Sequence, residues 1–200
     1  ALTQAIGDDI TGILQMGRLQ GEPFVINALS VEGAGLSAIG RAIVKGPEDR
    51  FWTRATLSVD AEDFARFSAL TGLSLAGDGS VDLSGDIQPF DGIFDLAMQA
   101  RTTDLAFGIV QIDPLLRGDG LVSLRVERDT TGTRLRNVQV MSEGVEASGR
   151  GDITSTTAQA ELTAKLTELG LITNDLSGPA TLVLDVVTDA DGAITLDTSL

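Results

Sequence analysis

From Ala158 to Leu166 the chain reads AQAELTAKL. Ala158, Ala160, Leu162, Ala164 and Leu166 share one parity, and Gln159, Glu161, Thr163 and Lys165 share the other. Strict alternation of this kind is the pattern of a strand with one dry face and one wet face. Phe51–Val59 repeats it, with Phe51, Ala55, Leu57 and Val59 opposed by Trp52, Arg54, Thr56 and Ser58. In Ser80–Ile87 the apolar Val81, Leu83 and Ile87 oppose Ser80, Asp82, Ser84 and Asp86. Helical periods are scarce, and apolar-in, polar-out alternation marks antiparallel sheets. The chain is expected to be all-β, with one short helix near residues 61–71. There Asp60 would cap AEDFARFSALTG, Phe64, Phe67 and Leu70 would form a stripe, and Gly72 would end it.

Three stretches align on a glycine. Counted from Gly77, Gly118 and Gly178, apolar pairs recur as Val81 and Leu83, Val122 and Leu124, and Leu182 and Leu184. A turn follows each pair at Asp91-Gly92, Thr131-Gly132 and Asp191-Gly192, and then a second alternating stretch begins. Each unit reads as a hairpin launched and turned by glycine. The turn glycines are thus Gly77, Gly92, Gly118, Gly132, Gly178 and Gly192. Unequal spacing between units argues against a solenoid rung and for a long meander of loosely repeated hairpins. Residues 1–200 read as a single β-repeat segment: strands over 1–59, helix plus hairpin over 60–110, hairpin and strands over 111–165, and a hairpin over 166–200. Leu200 ends on an alternation with Ile194, Leu196 and Thr198, so the segment is expected to belong to a longer β structure.

Composition narrows the chemistry. The 200 residues hold 29 acidic and 14 basic side chains, for a formal charge of -15, with no Cys and no His. No Ser-His-Asp triad, thiol nucleophile or zinc site of the usual N/S kind can be built. Nucleic acid needs clustered Lys and Arg, which this chain lacks. Hydrophobic residues nevertheless make up 42%, too many for a disordered acidic tail. No run of 18 apolar residues suggests a membrane-spanning helix.

The small motifs have plain readings. Asp189-Ala190-Asp191-Gly192 lacks the further ligands and closing Glu of a calcium loop and reads as a hairpin turn. Arg-Gly-Asp occurs at Arg117–Asp119 and again at Arg150–Asp152, and the structural glycine Gly118 accounts for the first. Gly33, Gly35 and Gly40 do not complete a dinucleotide fingerprint and read as turn glycines. Asp82 and Asp86 share a wet parity with Ser80 and Ser84, as surface charges on a strand do. No enzyme, cofactor or metal is expected. The apolar parity itself has two readings, a closed core or an open groove, and composition fits both. Large exposed apolar patches are rare in soluble proteins, which weighs toward the core.

The stretch Asp60–Gly151 resembles the β-repeat region of the translocation and assembly module (TamB) and AsmA-like inter-membrane bridge family. The resemblance rests on Phe67-x-x-Leu70-Thr71-Gly72-Leu73-x-Leu75-x-Gly77, then a hairpin, Asp104-Leu105-x-x-Gly108, the pair Leu115-Leu116 before Gly118, and a further hairpin. It implies a long curled antiparallel sheet, the β-taco or repeating β-groove, crossing the periplasm in a protein anchored to the inner membrane by an N-terminal helix not present here. It also implies a role in phospholipid transport between inner and outer membranes, or in protein secretion and outer-membrane β-barrel (autotransporter) biogenesis. The implied partners are phospholipid acyl chains, nascent β-barrel strands, and the outer-membrane barrel TamA through a region outside this segment. Groove-lining candidates are then Val81, Leu83, Ile87, Phe94, Leu96, Met98, Val122, Leu124, Val126, Leu162, Leu182, Leu184, Ile194 and Leu196. The alternative is a β-solenoid or sandwich binding module, adhesin-like, with a closed core.

Overall fold

The computed structural model describes residues 10–33, 35–173, 175–188 and 194–199. Twelve strands form one antiparallel sheet in simple sequence order: β1 (Thr11–Gly17), β2 (Phe24–Gly33), β3 (Leu36–Val44), β4 (Thr53–Ala61), β5 (Ala76–Gln88), β6 (Ile93–Ala106), β7 (Asp119–Arg128), β8 (Gly132–Met141), β9 (Val145–Thr154), β10 (Ala158–Leu166), β11 (Ala180–Thr188) and β12 (Ile194–Ser199). Among the described residues β1 pairs only with β2 and β12 only with β11, so the sheet is open. The alternating stretch Ala158–Leu166 is β10, residue for residue.

The three repeat glycines lie where the hairpins start. Gly77, Gly118 and Gly178 have φ of 99°, 72° and 91°, a left-handed backbone that side chains with a Cβ rarely adopt. Gly77 sits in a bulge of β5 against β6. Gly92 also turns with φ 64°. Gly132 does not turn the chain: it is the first residue of β8, and a Cβ there would strike the Ile153 carbonyl. That turn is held instead by Asp129 Oδ1, which accepts from the Thr131 and Gly132 amides at 2.7 and 3.2 Å. Gly192, the Asp189–Gly192 motif and Leu200 lie outside the described residues.

Three further expectations are corrected. Asp60 is a strand residue paired with Ser37 and Ser80. Asp63 caps the helical turn Phe64–Phe67, accepting from the Ala65 amide at 2.8 Å. One α-turn, Ser68–Thr71, follows and ends at Gly72 with φ 73°. Phe51 does not belong to a strand: it and Arg50 have φ of 58° and 56°, and the Phe51 ring packs on Phe90 at 5.2 Å. Gly40 lies inside β3 between Leu29 and Leu57 rather than in a turn.

The two margins of the sheet differ. At one, strands are joined by short links at 18–23, 45–52, 89–92, 129–131 and 155–157. At the other lie the three longest connections, 62–75, 107–118 and 167–179, which carry helical turns at Phe64–Thr71, Asp113–Leu116 and Leu169–Leu171. These are called below the turn margin and the connector margin. The connector segments make the only buried cluster among the described residues. Leu115 and Leu116, 8% and 9% exposed, pack with Val145 and against Leu105, Phe107, Val140, Ala147, Ala164, Leu166, Leu171 and Ile172. Asp104 fastens this loop, since its side chain accepts from the Gly118 amide at 2.9 Å. Asp113 turns it, accepting from the Phe107 amide at 2.8 Å.

Away from this plug, no second layer covers the sheet among the described residues. The chain exposes 12554 Å², against about 8,900 Å² for a compact monomer of its 20.8 kDa mass. No helix among the described residues is long and apolar enough to cross a membrane.

Candidate apolar face

Register decides which side chains share a face, because residues directly opposite in an antiparallel pair point the same way. A central row crosses the sheet through Leu14, Leu29, Gly40, Leu57, Leu83, Met98, Leu124, Val138, Gly149, Leu162 and Leu184. On its connector side runs Val31, Ala38, Val59, Val81, Ala100, Val122, Val140, Ala147, Ala164 and Leu182. On its turn side runs Ala42, Ala55, Gly85, Leu96, Val126, Leu135, Gly151, Ala160, Val186 and Leu196. A last row nearer the turns holds Val44, Thr53, Ile87, Phe94, Arg128, Thr133, Ile153, Ala158, Thr188 and Ile194.

All fourteen groove-lining candidates therefore fall on one face, Ile194 and Leu196 by backbone register. The other twelve, from Val81 to Leu184, are half-buried. Half-burial without a covering layer means that neighbours on the same face shield one another. Residues absent from the candidate set, including Leu29, Val31, Leu57, Val59, Leu135, Val138, Val140 and Val186, share the same rows. With eleven interstrand spacings, the described apolar face runs about 53 Å across the strands and, for nine-residue strands, about 30 Å along them.

The opposite face is a ladder of charge. Arg54 donates to Asp86 at 2.8 and 3.0 Å, and Arg125 donates to Asp95 at 3.1 and 2.7 Å. Arg136 bridges to Glu127 at 2.9 Å, Arg150 to Glu161 at 2.6 Å and Lys165 to Glu146 at 3.7 Å. Asp82 accepts from the Ser58 hydroxyl at 2.6 Å. Asp82 and Asp86 are thus surface charges with cross-strand partners. Such exposed pairs are screened by water and fix register more than they stabilise.

Hydrogen bonding from Arg125 holds the Asp95 carboxyl below the usual carboxylate range. Asp129 is held lower still, first by the Thr131 hydroxyl, then by Arg134 and the Thr131 amide. A carboxyl depressed in the folded state contributes stability in full above its unfolded pKa of about 3.9 and loses it as pH falls below that. Asp129→Ala is therefore expected to lower the urea midpoint at pH 7. That difference should shrink as the pH is taken from 5 to 2; an undiminished difference at pH 2 would remove the ionic account of this turn.

The alternation is breached on the wet side by Ile39, Ile43, Leu121, Met141 and Val187, all exposed. Leu121 and Met141 are in register with each other. On the apolar side the breach is Arg128, the only charged residue among the register-paired positions of that face. Comparisons with protein-family models, with curated proteins and with solved structures find no match to this chain.

Proposed function

We propose that this chain is a section of an envelope-spanning bridge protein of the TamB and AsmA-like kind, located in the periplasm, whose apolar face carries phospholipid acyl chains between the inner and outer membranes. The observation that supports the reading is the apolar face itself, continuous across the strands and, among the described residues, without a second layer outside the connector plug. Exposing acyl chain to water costs about 0.8 kcal/mol per methylene, so about 15 methylenes cost roughly 12 kcal/mol. Rows of Leu, Val, Ile and Ala at the spacing of a sheet remove most of that barrier wherever the chain lies along them. One leaflet of a bilayer core is about 15 Å thick, so a face about 53 Å long exceeds the reach of a single acyl chain roughly threefold. Along a row, successive strands present nearly equivalent apolar side chains, and an acyl chain moving from strand to strand exchanges like for like.

Mass spectrometry of the protein purified from membranes is expected to find stoichiometric phospholipid that survives washing in high salt. Salt screens headgroup attraction but leaves apolar burial intact. Lipid lost on raising the salt, or none at all, would sink the reading.

A further inference from the structure

Arg128 breaks the rule that the rest of its face obeys. It ends β7 in register with Phe94 on β6 and Thr133 on β8, and other positions of its row are Ile87, Ile153 and Ala158. On the opposite face Arg54, Arg101, Arg125, Arg134, Arg136 and Arg150 each have a carboxylate within bridging distance, while Arg41 stands in register with Thr56 without one among the described residues. Arg128 has none within 4 Å among the described residues. Its neighbour Asp129 is engaged by Thr131 and Arg134, and Glu127 by Arg136.

An arginine placed this way lays its stem on apolar surface and holds its head at the water margin. Its guanidinium presents a planar fork that suits phosphate oxygens bidentately. The same margin carries the exposed Phe51–Phe90 pair and, toward the charged face, Trp52 with Lys45 and Arg54 stacked on its ring at 5.0 and 4.9 Å, groups typical of a headgroup layer. The connector margin is more acidic, with Asp60, Glu62, Asp78, Asp119 and Glu143 gathered around Arg101 and no ion pair to any of the five acids among the described residues. That acidic rim disfavours a phosphate.

We propose that Arg128 holds the phosphate of a phospholipid whose acyl chains lie on the apolar rows, so that bound lipid has one orientation: headgroup at the turn margin, tails toward the connector plug. This rests on the phospholipid reading above and adds to it a residue and a direction.

The test compares the protein with its Arg128→Ala and Arg128→Lys variants, using tail-labelled phosphatidylglycerol and a tail-labelled diacylglycerol of the same chains. Arg128→Ala should weaken phosphatidylglycerol binding about ten- to a hundredfold, the loss of one hydrogen-bonded charged pair. Diacylglycerol binding should not change, and Arg128→Lys should fall between. Equal loss for both lipids, or no loss for either, would overturn the assignment while leaving the apolar face as a lipid site. Binding of neither lipid by the unmutated protein would remove the parent reading as well. A shift of the Arg128 Nε–H resonance on adding inorganic phosphate alone, matching that with phosphatidylglycerol, would assign the residue to free anion and overturn the headgroup role.

Discussion

Replacing Leu83 with Asp is expected to cut the phospholipid bound per protein at least tenfold. Leu83 lies in the central row between Leu57 and Met98, in a part of the face that carries no other charge. An acyl chain crossing that point would strip water from the new carboxylate, which costs several kcal/mol when no partner charge replaces it. Without lipid the penalty is small, because the position is half-exposed and the carboxylate stays hydrated. The variant should therefore keep its β signature in circular dichroism while losing its lipid. Leu124→Asp, in the same row on β7, should behave alike. Thr56→Asp, on the neighbouring β4 but on the charged face opposite Ser84, should bind normally. Normal binding by both leucine variants would mean that lipid, if bound, lies elsewhere.

Leu116→Ala should have the largest effect on stability. Leu115 and Leu116 are buried in the connector plug, and removing such a side chain costs about 2–5 kcal/mol. That is a large share of the 5–15 kcal/mol typical of a domain. Leu83→Ala should cost less than about 2 kcal/mol, since much of that side chain already meets water. Urea midpoints give the two values. Hydrogen exchange should place the Leu116→Ala loss in residues 113–116, 145–147 and 169–172. Equal costs at Leu83 and Leu116 would show that the open face is packed as firmly as the plug.

The contrast between these sites marks what the sequence made legible. Alternation places Leu83, Leu124, Leu162 and Leu184 without ambiguity, because β5, β7, β10 and β11 keep one parity through the rows where these residues lie. It fails in β2 and β8. There a bulge shifts the register between Ile26 and Leu29, and another between Leu135 and Val138. An extra residue exchanges odd for even, so residues on one face stop looking periodic. The shared face of Leu29 and Val31 with Ile26, and of Val138 and Val140 with Leu135, is hidden in the sequence for that reason. The helix cap was misplaced because Asp60 and Asp63 are equally good capping residues, and only the pairing of Ala61 with Leu36 and Gly79 decides between them. The leucine pair Leu115-Leu116 was visible as a motif, but its burial depends on Val145 and Leu171, brought near by strand pairing. Arg128 followed the parity of Val122, Leu124 and Val126. Its significance appears only when the neighbouring strands supply Phe94 and Thr133.

The meander also governs how such a sheet tolerates change in length. Every strand bonds only to its neighbours in sequence, so strand pairing never requires distant parts of the chain to meet, and order can spread from hairpin to hairpin. Excising β7 and β8 together would shorten the face by about 9.6 Å and leave the polarity of every remaining strand intact. Excising one strand alone would reverse the direction of all that follow and move the helical connectors to the opposite margin. Selection on reach would therefore act in quanta of two strands.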